Sequence, residues 1–108
     1  MPLTTKINVE PSRDPETLAD DLCAALMSPR TREEMAALLA DLCTPAEVRT
    51  LAERWHVARL LEGSQMSYRE IHEATGVSTT TIVRVARFLR QEPHQAYRKA
   101  IARLGGGE

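Results

Sequence analysis

Along most of this chain, apolar side chains return every three or four residues, the spacing that holds them on one side of a helix. Leu18, Leu22, Ala25 and Leu26 make one such stripe, and Met35, Leu38, Leu39 and Leu42 make a second. Val48, Leu51, Ala52, Trp55, Ala58 and Leu61 make the longest, which predicts a central core helix. Ala96, Tyr97, Ala100, Ile101 and Leu104 make the last. No segment alternates with a period of two and no internal repeat is visible, so the pattern predicts an all-α fold.

Polar residues between the stripes mark where helices start and stop. Asp14 before Pro15 predicts a first helix, broken by Ser28-Pro29-Arg30. Thr31-Arg32-Glu33-Glu34 opens a second, with acid in its first turn. Thr44-Pro45-Ala46-Glu47 is a capping box that starts a third, Pro45 to Glu62, ended by Gly63. Glu92-Pro93 predicts a final helix from Pro93 to about Leu104. Residues 1–13 have no period and are expected to form a flexible arm. Residues 14–104 then make a single helical domain, and 105–108 a disordered tail.

The segment from Ser67 to Arg90 carries the clearest chemistry. Ser67 and Glu70 form another capping box and predict a short helix through Ala74. Thr75-Gly76-Val77 is a tight turn, and a second helix runs from Ser78 to Arg90. This is the outline of a helix-turn-helix, which lays its second helix in the DNA major groove. Such a motif needs apolar plugs where its helices cross, and Ile71, Thr75, Val77, Ile82 and Val85 stand at those places. Thr75 is the one polar member. His72 stands where a small residue is usual.

Ser78-Thr79-Thr80-Thr81 begin the second helix, where hydroxyls and threonine methyls can meet base edges or phosphates. The plainer alternative is that they only cap the helix. Arg69, Arg84, Arg87 and Arg90 are candidates for phosphate or guanine contact, against a background of ordinary solvated arginines.

Charge sharpens this picture. The net charge is only −1, but residues 1–44 hold four Lys or Arg against eight Asp or Glu. Residues 67–104 hold seven against three, so the cationic excess lies on the motif. With one Trp, one Phe and two Tyr, bulky core filler is scarce. The first two helices are too short to bury their own leucines, which points to pairing with a second copy.

Other chemistry finds no footing. Cys23 and Cys43 lack zinc spacing, and both fit a reducing compartment as small core residues. His56, His72 and His94 make no metal pair. No phosphate loop, secretory leader or 18-residue apolar span is present. The chain is therefore not expected to be an enzyme, to hold a metal or cofactor, or to enter a membrane, and a cytoplasmic location is expected.

Several pieces together resemble the tryptophan repressor family, in its YerC/YecD-type branch. They are Leu42-Cys43-Thr44-Pro45-Ala46-Glu47, Leu51, Arg54, Leu60-Leu61-Glu62-Gly63, Met66-Ser67-Tyr68-Arg69-Glu70 and Gly76 through Arg84. The resemblance spans residues 40–92 in motif and the whole chain in helix order. It implies a six-helix, intertwined homodimer that binds duplex DNA to regulate transcription, in the repressing sense. On that basis Arg69, Thr79, Thr80 and Val83 are expected at the DNA, with Tyr68 and His72 nearby and Arg84 and Arg87 beside them.

The family's corepressor arginines correspond to Arg54 and Arg84. Where the family has a glycine against which the indole lies, this chain has Val85, and Phe88 replaces a serine. L-Tryptophan is therefore not expected to bind, which leaves Arg54 and Arg84 open to a phosphate, an ion pair or another small anion as effector. His72 adds an imidazole beside these residues, its plain alternative being a solvated histidine. The competing function is a helical protein-interaction module that has lost DNA binding.

Overall fold

Capping chemistry sets the helix boundaries. In a computed structural model describing residues 9–105, six helices follow one another and no strand occurs among the described residues. They are α1 (Pro15–Leu26), α2 (Arg32–Leu42), α3 (Pro45–Gly63), α4 (Tyr68–Thr75), α5 (Thr79–Arg90) and α6 (Ala96–Leu104). The chain divides into two compact units, one ending at Leu42 and the other starting at Cys43. The proposed arm and tail lie largely outside the described residues; Val9 to Arg13 have no regular structure.

In the first unit, the Asp14 carboxylate accepts from the Thr17 amide at 3.1 Å and from its hydroxyl at 2.7 Å. These bonds, the hydroxyl first, hold the Asp14 carboxyl below the usual carboxylate range. Thr31 caps α2 through the Glu34 amide at 3.0 Å, and Glu34 answers by accepting from the Arg30 amide at 2.7 Å. Neither helix contains a buried residue. Leu18, Leu22 and Leu42 remain about half exposed. Cys23 is exposed rather than in a core, because α1 has no buried face to put it on.

The second unit holds the core. Thr44 and Glu47 close the expected capping box, at 3.1 Å and 2.8 Å. Helix α5 lies at the centre, packed against α3, α4 and α6. Val57, Ala58, Leu61, Ile71, Val77, Ile82, Val85, Ala86 and Leu89 are buried together. At about 1.5–3 kcal/mol for each large side chain fully withdrawn from water, this cluster supplies most of the unit's cohesion.

Only the C-terminal half of α3 behaves as the central helix that its stripe predicts. Val57, Ala58 and Leu61 are buried, but Leu51 is 47% exposed and Ala52 is exposed. Trp55 is half-buried and stacks on Tyr97 of α6 at 6.4 Å between ring centroids. The last helix also differs from expectation: it starts at Ala96, not Pro93. The Gln95 side chain donates to the Glu92 carbonyl at 2.7 Å, and Gln95 itself sits at φ +54°, so the chain turns once more before coiling.

Candidate nucleic-acid interface

The sequence locks α4 and α5 to one another through short local devices. Ser67 and Glu70 cap α4 reciprocally, at 3.1 Å and 2.8 Å. Gly76 ends the helix at φ +77°, a left-handed conformation that glycine adopts without side-chain conflict. Its N–H donates to the His72 carbonyl at 2.9 Å. Ser78 then caps α5 by accepting from the Thr81 amide at 3.1 Å. Of the five plug positions, Ile71, Val77, Ile82 and Val85 are buried and Thr75 is half-buried. Thr75 fits because its hydroxyl is satisfied: it donates to the Ile71 carbonyl at 2.7 Å and accepts from the Val77 amide at 3.1 Å.

With Ile82, Val85, Ala86 and Leu89 turned inward at helical spacing, the opposite face of α5 must point to solvent. Thr79, Thr80, Arg84, Arg87 and Arg90 are exposed, and Val83 is 55% exposed. The first turn of α5 has no acidic residue, so its free amides and dipole favour an anion there. On α4, Tyr68, Arg69 and His72 are exposed as well.

A cleft of about 250 Å³ between α4 and α5 brings together Tyr68, Val83, Ala86, Arg87, Arg90 and Gln91. It joins three of the residues named from sequence, Tyr68, Val83 and Arg87. Arg90 was one of four candidate cations in the sequence, but its pairing with Tyr68, across 3.4 Å, was not foreseen. No local spacing signals that contact, since the two residues stand at opposite ends of the motif. Arg69 pairs with Glu73 at 3.4 Å and Arg87 with Glu92 at 3.7 Å. Exposed pairs of this kind contribute roughly 0–1 kcal/mol, so either guanidinium is readily given up to a phosphate.

The positions corresponding to corepressor arginines are arranged differently from one another. Arg54 is half-buried in α3, and its Nε is buried without a hydrogen-bond partner among the described residues. The Arg84 guanidinium lies over the Phe88 ring at 4.5 Å, and that of Arg87 lies 5.0 Å from the same ring. Val85, 1% exposed, is a core residue. A separate apolar cavity of about 340 Å³ is lined by Trp55, Phe88, His94, Ala96, Tyr97 and Ala100; neither Arg54 nor Arg84 lines it. Among the described residues, no three His, Cys, Asp or Glu side chains gather as metal ligands. Among the described residues, no helix is long and apolar enough to cross a membrane.

Comparison with known proteins converges on one group. Residues 17–105 match the family described as Trp repressor protein. The YerC protein of Bacillus subtilis (strain 168) is 41% identical over 86 residues, which cover 79% of this chain and 80% of that protein. Among solved structures, a TrpR like protein from Eubacterium eligens ATCC 27750 superposes with a TM-score of 0.76 at 34% identity. That superposition covers 82% of this chain and 90% of the other. A protein from Staphylococcus aureus does so with a TM-score of 0.76 at 32% identity, over 82% and 87%.

Proposed function

The chain belongs to the Trp repressor family, and we propose that it is a regulator of transcription, acting as a repressor, that binds duplex DNA as a homodimer. The observation that carries this reading is the two-sidedness of α5. Its Ile82 side is sealed into the core, while Thr79, Thr80 and Val83 stand exposed with Arg84 and Arg87 along the same helix. In this reading Thr79, Thr80 and Val83 meet base edges, and Val83 offers its methyls to thymine. Arg69, Arg84 and Arg87 hold phosphates, with Tyr68 and His72 nearby on α4.

Two such helices are needed to read a two-fold symmetric site, with half-sites about 34–36 Å apart. Support for a second copy comes from apolar positions that the chain leaves uncovered. Neither α1 nor α2 has a buried residue, and Leu51 of α3 is half exposed. A cytoplasmic, nucleoid-associated location goes with this role.

The regulator works without L-tryptophan. Val85 plugs the core where the indole would need open backbone, and Phe88 occupies adjoining space with the Arg84 guanidinium lying on it. Isothermal titration with L-tryptophan should give no binding heat. A micromolar dissociation constant at one ligand per subunit would overturn this point. For DNA, fluorescence anisotropy on genomic fragments and on random duplex should show tighter binding to a subset of fragments, with affinity falling steeply as salt rises. If no fragment binds at low salt, the DNA reading is lost, and recovery of a protein partner without nucleic acid would instead favour the interaction module. Arg69→Ala should weaken binding nearly uniformly across fragments and reduce the salt slope by about 1, the signature of a lost phosphate contact; a loss of about 1–3 kcal/mol confined to the best fragments would make Arg69 a guanine reader instead.

A further inference from the structure

The turn residue Val77 is held from α4 by two side chains. Its amide donates to Thr75 Oγ1 at 3.1 Å, and its carbonyl lies 2.7 Å from His72 Nδ1. A carbonyl oxygen can only accept, so Nδ1 must carry the proton. In the neutral ring this leaves Nε2 bare, the reverse of the tautomer that free histidine prefers in water. Val77 immediately precedes Ser78, the cap of α5. Both polar groups of the residue that launches the recognition helix are therefore fastened by α4, while its side chain, 4% exposed, is fastened by the core.

We infer that His72 is a positioning residue: by donating Nδ1–H to the Val77 carbonyl it fixes the turn and thereby the angle at which α5 is presented. This explains why a histidine stands where helix-turn-helix motifs usually carry a small residue: a hydrogen bond across the turn replaces close packing there. The inference rests on the DNA reading for its functional consequence, but the bond itself is a property of the free protein.

The decisive comparison is among His72→Asn, His72→Gln and His72→Ala. An asparagine amide nitrogen can stand in for Nδ1, whereas the glutamine amide nitrogen falls nearer the position of Nε2. Binding to the best genomic fragment should be within about twofold of wild type for H72N. It should be about two- to tenfold weaker for H72Q and H72A, the worth of one lost intramolecular hydrogen bond. The slope of log affinity against log salt should stay the same in all four proteins, because the bond holds a carbonyl and not a phosphate. Equal losses in H72N and H72Q, with a slope shallower by about 0.9, would make His72 a cationic phosphate contact and overturn the inference.

Long-range 1H–15N correlation of the His72 ring in free protein should find the proton on Nδ1, and a ring protonated on Nε2 alone would also overturn it. This measurement needs no DNA and no variant. If wild-type protein binds no duplex, the DNA reading falls while the ring tautomer still decides the turn bond.

Discussion

Ile82 and Val83 are neighbours in α5, yet the fold assigns them opposite fates: Ile82 is 0% exposed and Val83 is 55% exposed. Truncating each to alanine therefore tests which way the helix faces. Ile82→Ala removes three carbons from a fully buried site. At about 0.8 kcal/mol for each, the transfer loss is about 2.4 kcal/mol. The void left among Ile71, Val85 and Leu89 adds to this, bringing the loss to about 3–4 kcal/mol. Val83→Ala uncovers nothing buried, so stability should stay within about 0.5 kcal/mol.

Urea denaturation followed by helical circular dichroism measures both. Because a dimer's stability depends on concentration, all proteins should be compared at one protein concentration. In binding, the pattern should reverse. Val83→Ala should lose affinity for the best genomic fragment while keeping its affinity for random duplex, because phosphate contacts are untouched. The reasoning fails if Ile82→Ala proves milder than about 1 kcal/mol, or if Val83→Ala is the more damaging to folding. Either result would mean that α5 is rotated and that the threonine face is not the one presented.

The remaining predictions concern the helix ends. Gly76→Ala should destabilise by about 1 kcal/mol in the same urea assay, the strain of a left-handed alanine, since a β-carbon there meets nothing within 4 Å. A loss above about 3 kcal/mol would indicate a clash that the open space denies. Thr44→Ala removes the cap of α3 and should lower stability by about 1 kcal/mol, with Thr44→Ser nearly neutral. Asp14 provides a pH test. Because its folded carboxyl titrates lower than in the unfolded chain, its contribution is present above the ordinary carboxylate range and is lost as pH falls through the depressed value. The Thr17 amide resonance should follow that step, and Asp14→Asn, which still caps, should abolish it.

The sequence by itself was sufficient wherever the cause lay within a few residues. Asp14, Thr31, Thr44, Ser67 and Ser78 each stand at the start of a helix because a cap bonds an amide three positions on. The inward plugs of the motif were legible for the same reason, since helical spacing dictates which side chains share a face. The outward placement of Thr79, Thr80 and Val83 followed as the complement.

Tertiary structure decided what depends on residues far apart in the chain or on how a side chain turns. It left Leu51 and Ala52 uncovered while burying Val57, because coverage of a helix face depends on which neighbour reaches it and not on its own stripe. It moved the start of α6 to Ala96, where the Gln95 side chain finds the Glu92 carbonyl. It laid the exposed Arg84 guanidinium over the Phe88 ring. It also joined Tyr68 to Arg90, a pairing that arises only once the two motif helices are folded against each other, and it turned the His72 ring onto the Val77 carbonyl.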